Sequence, residues 1–357
     1  MQRKDLGLIA AVTVLSTGLL WLGAGMKNIY QNFDGPYYLV IAKSWYDKNL
    51  IEKNFSFPVP TEYFAAHFPL YPAIVRAFNT IGLNGFQSLV LVNVLATLGT
   101  GILWYQICRE KGWGNPLWQV LWWLFWWPRI WVVRSVGGPE TLFIGLVLAS
   151  LWMFDKRKFL LAGIFGALAA ITKSPGILLL PAYAGWFLMT GIKDKKWEWK
   201  TWPVILILLG TLGVFGLLGA RTGDFLAYFN SGDNIHLQIL PFKVFDSNQP
   251  WVGDWWLEDV LWIFLIGALG VWRAFKKNRV FGWFGAIFLT SVLFVSHRDI
   301  SRYSLPIVPI VLMGFSEILE RKEMKWIWGA MLVPLFLYSL NFALHNFVAI
   351  GNWAPFL

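Results

Sequence analysis

Apolar runs near the length of a bilayer crossing, separated by short polar links, fill most of the chain. About 20 apolar residues in helical form span the hydrocarbon core, so the pattern predicts a bundle of membrane helices. Eleven candidate spans follow, at 6–26, 86–108, 116–134, 139–154, 159–172, 175–190, 202–220, 259–275, 280–296, 303–319 and 326–348. Arg3 and Lys4 precede the first as they would a signal peptide. The run from Leu6 to about Met26 exceeds the roughly 7–15 residues of a signal core, so it is kept as a span. The third is rich in tryptophan, with Pro128 as a kink or exit. The segments at 159–172 and 175–190 are short and joined by Thr172-Lys173-Ser174-Pro175. They make either two crossings or a re-entrant hairpin.

Two longer polar stretches interrupt the pattern, at 27–85 and 221–258. In the first, Asp34 and Gly35 precede an expected helix from Pro36 to about Asn49, proline being tolerated in a first turn. Leu39, Ala42, Trp45 and Tyr46 recur at helical spacing, while Lys43, Asp47 and Lys48 are polar. That pattern predicts a helix lying in the headgroup plane. Pro58 and Pro60 break the chain, and a second short helix is expected from Pro72 to Thr80, stopped near Gly82. The second stretch holds Gly223-Asp224, Asp233-Asn234, His236, Asp246 and Asp254.

Composition agrees with the pattern: 57% of the 357 residues are hydrophobic and 14% charged, against about a quarter charged in soluble domains. The fold class is therefore an all-α polytopic membrane protein, taken as one domain over 1–357. Cys108 is the only cysteine, so no intramolecular disulfide forms. The net charge of +10 invites a nucleic-acid partner, but its distribution excludes one. Threading the spans with the N-terminus inside puts eighteen basic and eight acidic residues in the inner links and twelve of each outside. The whole excess lies on one side, as the positive-inside rule requires. The N-terminus is expected in the cytoplasm, in the plasma membrane of a prokaryote rather than the endoplasmic reticulum.

The polar residues with chemical potential collect on the opposite, outer side. Asp34 is a lone carboxylate able to take a proton from an attacking hydroxyl, though Asp-Gly-Pro equally makes an N-cap or Asx turn. His67 can donate to a phosphate or sugar oxygen, or simply pack. Glu140 follows Pro139 and suits the first turn of a helix. Lys173 is either a mid-depth cation or a snorkelling anchor. Arg298 and Arg302 can clamp a phosphate, unless Asp299 neutralises one of them or both merely anchor the interface. Arg302, followed by Tyr303, opens a span and is expected to face the pocket. No cluster has metal-ligand spacing, although Asp34 with Glu140 could hold a hard cation; no cofactor is required. Phosphate-loop, dinucleotide and nucleophile-elbow motifs are missing from the sequence.

Phe33-Asp34-Gly35-Pro36-Tyr37-Tyr38-Leu39-Val40-Ile41-Ala42, followed by Ala66-His67-Phe68-Pro69-Leu70-Tyr71-Pro72, resembles the first outer loop of the GT-C superfamily of integral membrane glycosyltransferases. It is most similar to the GPI mannosyltransferase II-like family and its prokaryotic relatives. Pro139-Glu140-Thr141-Leu142-Phe143, Thr172-Lys173-Ser174-Pro175-Gly176, Gly223-Asp224-Phe225-Leu226-Ala227 and Arg302-Tyr303-Ser304-Leu305-Pro306 continue it in the family's order. The resemblance implies a polyprenyl-phosphate donor carrying a hexose, mannose by family. Transfer would go with inversion to a lipid or glycan acceptor on the non-cytoplasmic face, with Asp34 at the catalytic acid position. Outer loops 27–85 and 221–258 would form the active-site face. Many superfamily members place adjacent acids in this loop, whereas Asp34 has no acidic neighbour before Asp47; His67 stands where relatives often carry an aromatic. The rival expectation is a transporter or flippase of lipid-linked sugars that makes no covalent change.

Overall fold

A computed structural model describes residues 3–232, 236–252 and 257–357. Asp233, Asn234 and Asp254 of the second outer stretch lie outside the described residues. Every apolar segment expected from the sequence holds helix. Among the described residues five helices are long and apolar enough to cross a membrane: Arg3–Ala24, Gly85–Lys111, Ser174–Lys193, Trp199–Thr222 and Lys322–His345. Shorter apolar helices stand at Phe159–Ala170, Arg279–Leu293 and Ile300–Gly314. The twelve residues of Phe159–Ala170 reach ~18 Å, short of the ~30 Å hydrocarbon core. The chain is an integral membrane protein.

Local chemistry sets the helix ends. Asn84 and Gln87 form a reciprocal capping box that opens Gly85–Lys111, and Gly112 closes it in the left-handed conformation. Asn115 caps Pro116–Phe125 with proline in the first turn. That helix stops at Trp126, and the chain resumes only as the short helix Ile130–Val133. The expected span 116–134 is therefore broken, because Pro128 supplies no N–H to the ladder and crowds the preceding turn. Elsewhere small residues let backbones meet: a Cβ on Gly314 would lie 2.2 Å from the Gly270 carbonyl oxygen.

The first outer stretch departs from expectation in a way that matters for the site. Instead of one amphipathic helix over 36–49, it forms Gly35–Ser44 and then Lys48–Asn54. Trp45 and Tyr46 are both left-handed (φ 53° and 64°) and turn the chain between them. Asp47 caps the second helix by accepting from the Leu50 N–H. Gly35–Ser44 is not the half-exposed helix that pattern predicts: all its residues except Lys43 are buried. It is covered because the stretch builds its own apolar core, where Tyr38, Phe64, Phe68, Tyr71 and Phe86 meet Val214, Leu218 and Phe356. Leu70–Thr80 completes that cover. The far end of the chain is fastened to it, with Val348 N–H donating to Gln31 and the Asn32 amide donating to the Ala343 carbonyl.

At the opposite end of the bundle, the short basic links are laced by ion pairs. Lys111 meets Asp155, Lys156 meets Glu110, Arg157 meets Glu198 and Arg279 meets Asp194. This is the end that charge counting assigns to the cytoplasm. Cys108 is buried, so single-cysteine variants at exposed positions report orientation with little background. A membrane-impermeant maleimide added to intact cells is expected to modify Asn49→Cys and to reach Lys196→Cys only after lysis. The reverse pattern would invert the orientation.

Candidate active site

Five chain segments place ionisable groups together at the end of the bundle that carries the first outer stretch. Asp34 occupies the N-cap position of Gly35–Ser44, yet its side chain makes no capping bond. It accepts instead from Arg302 Nη2, with 2.8 Å between nitrogen and Oδ2. Arg302 sits in the short helix Ile300–Tyr303. It also meets Glu140 Oε1, through Nη2 at 2.7 Å and Nε at 2.9 Å. Glu140 opens the helix Glu140–Asp155, where its charge also suits the helix dipole. Lys173, just before the 3-10 turn Ser174–Leu178, closes the chain with Nζ 2.9 Å from the same Glu140 oxygen. The guanidinium carbon of Arg302 lies 4.4 Å from the centre of the Phe33 ring.

The members of this chain differ in exposure, and the difference separates their roles. The Glu140 side chain is 5% exposed and that of Arg302 9%, whereas Asp34 is 28% exposed. Glu140 is thus an inner anchor and Asp34 the carboxylate that faces outward. Close packing of Gly137-Gly138 permits this. A Cβ on Gly137 would fall 2.2 Å from Leu89, and one on Gly138 would fall 2.6 Å from Glu140 Oε2. The Asn93 amide holds the Val133 and Val136 carbonyls, Thr141 donates back to Asn93, and Gly138 N–H donates to the Tyr71 hydroxyl.

His67, buried at the end of the 3-10 turn Thr61–Ala66, is ringed by Tyr37, Tyr38 and Tyr63. Burial pushes its pKa below the ordinary histidine value, and the positive charge of Arg302 adds to that. Burial alone would raise the Asp34 carboxyl; Arg302, His67 and the Arg302 hydrogen bond outweigh it and hold the group below the usual carboxylate range. At neutral pH Asp34 is charged and His67 neutral.

Asp34, His67, Glu140, Lys173 and Arg302 are therefore brought together. Arg298 is exposed in the turn before Ile300–Tyr303, and the Tyr303 ring faces His236 and His297, whose centroids lie 5.9 Å and 5.5 Å away. Asp299 pairs with Arg129 at 2.7 Å. Sequence reasoning gave Arg129 no role. It is buried, donates to Ser301 and stacks on Phe342 at 3.7 Å, so it steadies the turn that leads to Arg302. Arg134 was passed over too; fully buried, it donates to the Leu124 carbonyl and to Thr17 and Ser16. An arginine inside an apolar, tryptophan-rich run was the available signal for both. Among the described residues no three His, Cys, Asp or Glu side chains converge as metal ligands; Asp34 and Glu140 both face the Arg302 guanidinium.

Against known structures, the fold is similar to that of ArnT from Cupriavidus metallidurans, solved bound to undecaprenyl phosphate. The TM-score is 0.57 at 16% sequence identity, over 94% of this chain and 63% of that one. The likeness is one of fold alone, and this chain spans 63% of the length of that protein. No family model matches the chain, and no curated protein matches it in sequence.

Removing Glu140 leaves Lys173 without its carboxylate and the buried Arg302 with Asp34 alone, whereas Asp34→Asn leaves Glu140 to hold both cations. Glu140→Ala is expected to cost about 3–5 kcal/mol, read as a fall in thermal unfolding temperature, with a far smaller fall for Asp34→Asn. The pH dependence has two steps. His67 has a depressed folded pKa, so its contribution is full above about 6.5 and is lost as pH falls below that. Asp34, also depressed, contributes above about 3.9 and is lost as pH falls through its folded value. His67→Phe should erase the upper step in thermal unfolding scans and leave the lower one.

Proposed function

We propose that this chain is a GT-C glycosyltransferase that moves a hexose from a polyprenyl-phosphate-linked donor to a lipid or glycan acceptor, with inversion, on the non-cytoplasmic face. One observation carries the reading. Asp34 is an ionised, partly open carboxylate that leaves its capping bond unmade and is aimed by a buried arginine. The ArnT-like fold supports it, since that protein was solved with undecaprenyl phosphate. The motifs shared with the GPI mannosyltransferase II-like family favour mannose. In this reading the chain is a single unit over 1–357 with its N-terminus in the cytoplasm, an orientation that would set Asp34 on the outer face.

In this reading the acceptor hydroxyl attacks the anomeric carbon as the bond from that carbon to the lipid phosphate breaks. Asp34 accepts the hydroxyl proton while the new glycosidic bond forms. The phosphate leaves with the bonding electrons, and its added charge is met by Lys173 and Arg302. Lys173 spends one of its three donors on Glu140. Glu140 holds both cations in place and does not touch the substrate. His67 and its tyrosines form a neutral wall against the sugar. A single displacement gives inversion. In this reading no divalent cation is required.

Purified protein given radiolabelled polyprenyl-phosphate mannose and a host lipid extract is expected to form labelled product, undiminished by chelator. Asp34→Asn should lower turnover about 10²–10⁴-fold, the usual contribution of a general base. Near-full activity in that variant would remove Asp34 from the role. Movement of the labelled lipid across a vesicle membrane with no product would favour the flippase reading instead.

A further inference from the structure

The helix Gly35–Ser44 has Asp34 at one end and, at the other, a cavity of about 400 Å³ lined by Lys43, Trp45, Leu50, Ala73, Arg76 and Arg221. The three cations come from three separate helices. Each donates to a main-chain oxygen: Lys43 Nζ to Leu357 at 2.9 Å, Arg76 Nη1 to Ala42 at 3.1 Å and Arg221 Nε to Trp45 at 2.9 Å. Among the described residues none of the three pairs with a side-chain carboxylate. The acids nearest in sequence are engaged locally. Asp47 accepts from the Leu50 N–H, and Asp224 accepts from the Leu226 N–H and the Asn230 amide.

The Ala42 and Trp45 carbonyls at the end of Gly35–Ser44 account for one donor each of Arg76 and Arg221, and the Leu357 oxygen for one of Lys43. A guanidinium carries five donors in a planar fork and an ammonium three, so most of the donor capacity around this cavity is unspent. Concentrated positive charge with spare forked donors matches a phosphate group, which arginine binds bidentately. The left-handed turn at Trp45 and Tyr46 brings Trp45 to the lining, held by Arg221 on the Trp45 carbonyl and by the Tyr46 hydroxyl on the His67 carbonyl at 2.6 Å.

We propose that Lys43, Arg76 and Arg221 form a binding site for a phosphate-bearing group, separate from the Asp34 cluster. The ten residues of Gly35–Ser44 place it ~15 Å from Asp34, a distance that one hexose does not bridge. It therefore takes a second phosphate, not one departing from a sugar at Asp34. That phosphate belongs either to an anionic lipid headgroup in the outer leaflet or to a water-exposed phosphate ester on a larger ligand. The site stands on the cavity and its cations, whatever reaction Asp34 performs.

The test measures binding by the full chain in phosphatidylcholine nanodiscs. One arm titrates a fluorescent phosphatidylglycerol, the other glycerol 1-phosphate. The wild-type chain is expected to bind at least one of them in a salt-sensitive manner. Arg76→Gln with Arg221→Gln should weaken that binding at least ten-fold. Ala73→Phe, which fills the cavity and keeps every cation, should weaken it as well and guards against misfolding of the charge variant. Binding of the lipid alone identifies a headgroup site; binding of the soluble ester identifies a site open to a larger ligand. No binding in either arm, or equal binding by the wild type and both variants, would overturn the proposal.

Discussion

One buried arginine organises the end of the bundle that holds Asp34. Arg302 spans two carboxylates from segments far apart in the chain, and neither would hold its charge in so apolar a setting without it. The desolvation cost of Arg302 is offset by Glu140, which is itself offset by Lys173. Charges therefore alternate from Lys173 through the buried Glu140 and Arg302 to Asp34, and solvent reaches the two ends. Such a chain is weak as a source of net stability and strong as a constraint on geometry. It fixes where Asp34 points, its ionisation, and which neighbours have donors to spare.

The scaffold serves this constraint at a distance. Arg129 pins Asp299 and Ser301, which sets the turn from which Arg302 extends. Asn93 ties the loop before Glu140 to the long helix Gly85–Lys111. Gly137 and Gly138 let that loop approach Leu89 and leave room for the Glu140 carboxylate. The tyrosines around His67 fill the side of the site away from the ion pairs and keep water from the imidazole.

The helices were legible because hydropathy alone dictates them: a residue's solvent there is lipid, and a long apolar run has few other structures to adopt. Residue types at the site were legible as well, since a charge beside an apolar span is costly enough to stand out, and Asp34, Glu140, Lys173 and Arg302 all did. Their pairing was not. Nothing local in Asp-Gly-Pro distinguishes an N-cap from a carboxylate turned toward an arginine 268 residues away. The break after Ser44 was hidden for a related reason. Trp45 and Tyr46 have no intrinsic preference for left-handed backbone, and only the tertiary bonds to their main chain and hydroxyl hold them there. The spacing of Leu39, Ala42, Trp45 and Tyr46 therefore suggested a longer, more exposed helix than the one that forms.

The stitching of residues 31–33 to the end of Lys322–His345 and the segment after it has a consequence in time. The Asn32 amide reaches the Ala343 carbonyl across 311 residues, and Gln31 receives the Val348 N–H beside it. Asp34 is synthesised early and enters the membrane long before either of these partners or Arg302 exists. A growing chain therefore carries its carboxylate without the guanidinium that aims it and without the backbone ties that set its turn. The ion pairs and backbone ties around Asp34 are complete only when Lys322–His345 and the segment after it have been made, so a partly translated or truncated chain would hold its helices without that arrangement.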